Sequence, residues 1–208
     1  MILEIPGLED DPADRFPTLG LEVCDWIEGR LVHGPGDLRG EDICLDDETR
    51  ALICRFYEVF PKGHPREGRR RFNRCALSLR TGVAQTERGG RLTIAEAHPE
   101  APVRCDGFRK AGGEWLPVGV GVRDPYIPVM AYTEEQSEEL GFGVVYSILT
   151  DDRCQVVGDF DVSLDRIKRV DGTGRIAPLA GSPSARDGAR TTFQWFDETH
   201  RMTLAKQL

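Results

Sequence analysis

Apolar positions recur at helical spacing in two early stretches, Leu21 to Arg30 and Asp46 to Val59. In the second, Ala51, Leu52, Cys54, Phe56 and Val59 follow Asp46 and Asp47, whose side chains can cap the free amides of a helix start. The HGPGDLRGEDICL segment between them is punctuated by Gly and Pro and predicts a loop. FNRCALSL, Phe72–Leu79, predicts a short strand. RTGVAQTE follows it, and then a helix through Arg91–Ala97 that His98-Pro99 ends. Residues 100–126 are rich in Gly, Pro and charge, which suits a connector or a small hairpin. Ile127–Tyr132 reads as a strand. Thr133 caps a helix that opens on Glu134-Glu135 and buries Val144, Val145, Ile148 and Leu149. Further strands are predicted at Gln155–Val157, Asp165–Val170 and Arg175–Leu179, with Asp171-Gly172 and Thr173-Gly174 forming a hairpin turn. SPSARDGAR is a loop, and TTFQWF, Thr191–Phe196, is a last strand ending on Asp197-Glu198. Strands alternating with helices imply an α/β sheet that is at least partly parallel.

A chain of 208 residues fits one domain with a substantial core. No apolar run reaches the roughly 20 residues of a membrane span, and the acidic N-terminus lacks the basic region of a secretory signal. These features predict a cytoplasmic protein without membrane contact. The six cysteines form no C-x-x-C pair and predict small, mostly buried free thiols rather than a zinc site. A net charge of −8 argues against a whole-surface nucleic-acid binder but leaves a local one open. One candidate is the run Lys62, Arg66, Arg69, Arg70, Arg71, Arg74 and Arg80, which reads either as a solvated loop or as a phosphate-recognising one.

The chemistry rests on two sites. Around Ser78–Glu87, a strand, a small-residue turn and a helix would present backbone amides and the free N–H groups of the helix start, a cradle suited to phosphate. Thr86 could ligate Mg²⁺ and Arg80 could reach phosphate oxygens. At the end of TTFQWF, Asp197 would hold the metal through water, and Glu198 would orient and deprotonate the attacking water. In a parallel sheet the carboxyl ends of neighbouring strands meet at one edge, so the two sites can converge. An apolar strand followed by Asp-Glu is also a common capped strand end. The turn departs from G-x-x-x-x-G-K-[ST] as well, since Leu79, Ala84 and Gln85 stand at the two glycines and the lysine.

Several segments resemble the large terminase subunits of tailed phages. They are LVHGPGDLRGEDICLDDETRALICRFYEV, GRRRFNRCALSLRTGVAQTE, AHPEAPVRCDGF, DPYIPVMAYTEEQ and SARDGARTTFQWFDETHR, spread in the family's order from about Trp26 to Arg201. The resemblance implies a P-loop NTPase of the additional-strand type, α/β with a mainly parallel central sheet flanked by helices. It implies an extended leader over residues 1–20. A partial ATPase domain would follow over 21–208, with a helical subregion at 21–60 and a P-loop core at 70–208. The expected chain is truncated after the Walker B strand, leaves a sheet edge exposed and lacks the C-terminal nuclease.

By the same resemblance, the deviant Walker A falls on Arg80, Thr81, Gly82, Val83, Ala84, Gln85 and Thr86, which would bind ATP. Thr86 and Asp197 would hold Mg²⁺, and Arg80 and Glu198 would be the catalytic pair. AYTEEQ (Ala131–Gln136) is similar to a helicase-like motif, and RDGAR (Arg186–Arg190) to a segment near the nucleotide or DNA path. Both also read as purely structural. The implied partners are double-stranded viral DNA, the portal protein, the small terminase subunit and further copies in a ring. The implied place is the host bacterial cytoplasm, docked on the procapsid. Gln85 stands where a lysine charge is expected, which leaves open an inactive remnant retaining only fold and partner contacts. A cellular helicase-like ATPase is a third reading.

Overall fold

A computed structural model describes residues 16–77, 85–131, 141–180 and 190–197. Helix α1, Gly20–Arg30, buries Val23, Cys24 and Ile27 on one stripe. Helix α2, Asp47–Phe56, is capped as its sequence predicts: the Asp46 side chain accepts from the Thr49 amide at 2.7 Å, and Asp47 and Glu48 fill the first turn. Helix α3, Gln85–Ala97, begins earlier than the apolar pattern suggested, and His98-Pro99 follows its end. Helix α4, Gly143–Leu149, buries the four predicted residues Val144, Val145, Ile148 and Leu149. The Thr133 cap and the Glu134-Glu135 start lie outside the described residues.

Strands β1, Arg104–Ala111, and β2, Glu114–Val120, form a separate antiparallel hairpin. Gly112 and Gly113 make its two-residue turn with φ of 59° and 91°, which requires glycine-like freedom at both positions. The main sheet contains β3, Tyr126–Ala131; β4, Phe160–Val162; β5, Ile167–Arg169; β6, Arg175–Ala180; and β7, Trp195–Phe196. Its order is β4-β5-β6-β3-β7. β3 is parallel to both β6 and β7, whereas β4–β5 and β5–β6 are antiparallel. The protein is therefore α/β with a mixed five-stranded sheet and four helices among the described residues, which corrects the expected mainly parallel sheet. The reason is local: the connection at 170–174 is too short for a crossover and turns β5 straight back into β6.

One core unites α1, α2, α3 and α4 with the inner faces of β3, β5 and β6. Residues 16–20, assigned to the leader on sequence, join it: Leu19 is buried, and the Pro17 carbonyl accepts from the Val59 amide. Two strand expectations fail and a third is cut short. Residues 72–77 form no strand; Phe72 instead lies beneath the guanidinium groups of Arg55 and Arg71. Gln155–Val157 is a turn entering a short 3₁₀ helix. TTFQWF is strand only at Trp195–Phe196. Among the described residues β7 is an outer strand of the sheet, and no helix is long and apolar enough to cross a membrane. Cys24 and Cys154 are buried, but Cys44 and Cys75 are exposed, so the thiols are less uniformly internal than expected.

The basic stretch divides between internal wiring at Arg70 and Arg71 and exposed side chains at Lys62, Arg66, Arg69 and Arg74. Arg70 donates to Glu96 Oε1 at 2.5 Å and to the Val103 carbonyl at 2.8 Å, and it lies over the Tyr57 ring. Tyr57 Oη donates to the same Glu96 oxygen at 2.8 Å. Arg71 and Arg55 both donate to Glu58, Lys62 pairs with Glu67, and Arg66 stacks over Phe60. Arg69 and Arg74 are exposed, and Arg80 lies outside the described residues.

Candidate functional site

Asp197 is positioned by the parallel pairing of β3 and β7. Trp195 and Phe196 pair with Val129 and Met130, and the Asp197 amide then donates to the Met130 carbonyl at 2.8 Å. The carboxylate thus sits just past the strand's C-terminal end, 3% exposed. Thr86 is the second residue of α3, and its Oγ1 donates to Asp197 Oδ2 at 3.3 Å across 111 residues of sequence. That is long for a hydroxyl–carboxylate hydrogen bond. Two oxygens in adjacent positions on an octahedral Mg²⁺ with bonds of about 2.1 Å would lie roughly 3 Å apart. Hydroxyl and carboxylate are the hard oxygen donors that ion prefers. The described residues contain no group of three or more His, Cys, Asp or Glu side chains able to hold a metal. Mg²⁺ ordinarily keeps several waters and binds through one or two protein oxygens plus phosphate, so the Thr86–Asp197 pair fits it.

The approach of α3 to β7 depends on Gly89, one turn beyond Thr86. A Cβ there would lie 2.2 Å from Trp195 Cε2 and 2.6 Å from its Nε1. The indole occupies the space a side chain would take, which brings Thr86 within reach of Asp197. On the other side, a Cβ on Gly90 would lie 2.8 Å from Val144 Cγ1 of α4. Two adjacent glycines inside a helix cost about 1 kcal/mol each relative to alanine. That disfavoured pair was the one sequence signal for this close packing.

A second set of contacts ties the start of α3 to the HGPGD loop. Glu87 accepts from the Gly34 amide at 2.8 Å and from Arg91 Nη2 at 2.6 Å, and His33 Nδ1 lies 3.1 Å away. Burial alone would raise the Glu87 carboxyl. The Gly34 amide, Arg91 and His33 outweigh it and hold the group below its ordinary 4.5. Sequence reasoning missed this network, because nothing in the spacing of His33 and Glu87 links them. Asp46 and Arg88 add an ion pair at 3.2 Å between the α2 cap and α3.

The remaining predicted residues divide sharply. Arg80, Thr81, Gly82, Val83, Ala84 and Glu198 lie outside the described residues, and Gln85 supplies the first backbone position of α3. Of AYTEEQ only Ala131 is described, as the end of β3, and of RDGAR only Arg190, which is exposed. Comparison of the chain with family models, with curated proteins and with solved structures finds no match.

Proposed function

We propose that this chain is an ATP-hydrolysing motor domain of the phage-terminase kind, in which Mg-ATP turnover drives double-stranded DNA into a procapsid. The observation that carries the reading is the meeting of Thr86 with Asp197, two residues 111 apart in sequence and singled out for one metal. A helix opening at Gln85 and a parallel strand ending just before Asp197 also support it, because phosphoryl transfer needs a helix N-terminus and an acidic strand end at the same edge. In this reading the fold is a P-loop NTPase. Arg80 and the Gly82–Thr86 turn cradle the phosphates, Thr86 and Asp197 hold Mg²⁺, and Glu198 takes the proton of the attacking water. Bound Mg²⁺ supplies charge neutralisation at the phosphate oxygens. The portal protein, the small terminase subunit and a ring of further copies are the partners the reading brings with it, in the host cytoplasm.

Gln85 favours a second reading, an inactive terminase remnant, because glutamine cannot supply the point charge of a phosphate-bound lysine. Steady-state ATP hydrolysis by the native chain, Glu198→Gln and Gln85→Lys separates the two. Turnover abolished by Glu198→Gln supports the motor, with Arg80 sufficient for charge. A silent native chain rescued by Gln85→Lys identifies an intact site disabled by one residue. Silence in all three overturns the motor reading and leaves the remnant.

A further inference from the structure

A cleft of about 420 Å³ opens at the end of the sheet away from Asp197, where β3 and β6 begin. Lys168 of β5 pairs directly with Arg175 of β6, and Arg175 with Tyr126 of β3, so the three side chains form a row on one face. The Arg175 guanidinium lies 4.2 Å over the centre of the Tyr126 ring. Arg190 completes the cationic wall. All three cations are exposed, and none forms a salt bridge among the described residues. Of the cleft's lining residues only Asp124 is acidic, and its carboxylate accepts from the Gly174 amide at 3.0 Å. Three further acids lie nearby: Asp161, opposite Lys168 on β4; Asp165, which interacts electrostatically with Lys168; and Asp171, which accepts from Thr173.

Like charges placed directly opposite in an antiparallel pair destabilise a sheet, and an anion bridging them removes that cost. The chain's net charge of −8 would repel polyanions in general, so attraction here is local. Behind the cleft Arg169 is 4% exposed. Its guanidinium donates to the carbonyls of Ala97, Val122 and Arg123 at 2.5, 2.7 and 2.9 Å, and no salt bridge to it occurs among the described residues. Asp171 and Asp124 oppose its charge electrostatically, so the cleft's attraction for an anion rests on Lys168, Arg175 and Arg190. The cleft's volume lies within the range of about 300–1,000 Å³ typical of ligand sites. A guanidinium pinned on a ring offers the forked donors that suit phosphate oxygens.

We propose that this cleft is a phosphate-binding site, separate from the Thr86–Asp197 site, in which Lys168, Arg175 and Arg190 share the phosphate of a nucleic-acid backbone or of a free phosphorylated molecule. The two sites lie at opposite ends of β3, roughly 16 Å apart for a six-residue strand. The inference is independent of the nucleotide reading and is tested without ATP or Mg²⁺. Binding of a labelled short DNA duplex by fluorescence anisotropy, and of inorganic pyrophosphate by calorimetry, is compared at low and moderate salt. Lys168→Ala/Arg175→Ala/Arg190→Ala should weaken the bound probe at least about tenfold and flatten its salt dependence. Arg190→Ala alone, at an exposed position that leaves the fold untouched, should weaken it about threefold. Removing the exposed Arg104, Arg109 and Lys110 on the β1–β2 hairpin should change little. Cleft-dependent binding of the duplex alone assigns a nucleic-acid backbone, and of pyrophosphate alone a free phosphorylated ligand. Binding of neither probe, or equal loss in the hairpin variant, overturns the proposal.

Discussion

Replacing Gly89 with alanine isolates the packing that sets the Thr86–Asp197 contact. Helix propensity alone favours the change by about 1 kcal/mol. Packing opposes it: the new Cβ would start 2.2 Å from the indole of Trp195, and an ordinary carbon–carbon contact of about 3.5 Å demands a retreat of roughly 1.3 Å. Overpacking of this kind costs about 1–3 kcal/mol, so the net effect runs from none to a loss of about 2 kcal/mol. In a chain of this length that lowers Tm by up to about 8 °C, whereas propensity alone would raise it. Thermal unfolding followed by tryptophan fluorescence reads it. Gly29→Ala in α1 is the control, since nothing lies within 4 Å of its Cβ and propensity acts there unopposed. Adding Trp195→Leu to Gly89→Ala should return most of the loss. A Gly89→Ala variant as stable as Gly29→Ala would refute the close approach of α3 to β7.

Three further outcomes are expected. Arg70→Ala should destabilise the chain by about 3 kcal/mol in urea titration, because it leaves the buried Glu96 carboxylate with only the Tyr57 hydroxyl among the contacts described above. The depressed Glu87 carboxyl contributes stability that is full above its ordinary 4.5 and lost as pH falls through its lower folded value. Acid unfolding of Glu87→Gln should therefore show a shallower loss below pH 4.5 than the native chain, and parallel curves would contradict the network. The neighbouring Cys24 thiol holds Cys54 below its ordinary 9.0, against the upward push of burial and with help from Arg50. Alkylation of Cys54, read by mass spectrometry, should rise at a lower pH than that of an ordinary thiol and move up toward 9.0 in Cys24→Ala; an unchanged profile would contradict the pairing.

Helix α2 was legible because the Asp46 cap and the apolar spacing agreed, and α4 through its apolar Val144–Leu149 face alone. The β5–β6 turn was legible because Asp-Gly and Thr-Gly pairs favour left-handed backbone, and Gly172 and Gly174 do have positive φ. The strands expected at Phe72–Leu79 and Gln155–Val157 were not, since pairing partners rather than local propensity decide short strands, whereas β3, β5 and β6 fall where expected. Phe72 has strand character, yet two guanidinium groups hold its ring. Pro178 would argue against an inner strand, but β5 pairs β6 only through residues 175 and 176 and leaves the next stretch of that edge open. At the site, Thr86 and Asp197 were readable as residue types, but the means of joining them was not. That depends on Gly89 meeting Trp195 and on Glu87 meeting Gly34, contacts that span 106 and 53 residues.

The most direct test of the central claim is a calorimetric titration of ATP into the native chain and into Asp197→Asn, each with and without Mg²⁺. The account predicts saturable binding to the native chain that strengthens with Mg²⁺, and a loss of at least about tenfold of that Mg²⁺-dependent gain in Asp197→Asn. No binding to the native chain, or an equal Mg²⁺ effect in both proteins, would contradict the assignment of Thr86 and Asp197 to a nucleotide-bound metal.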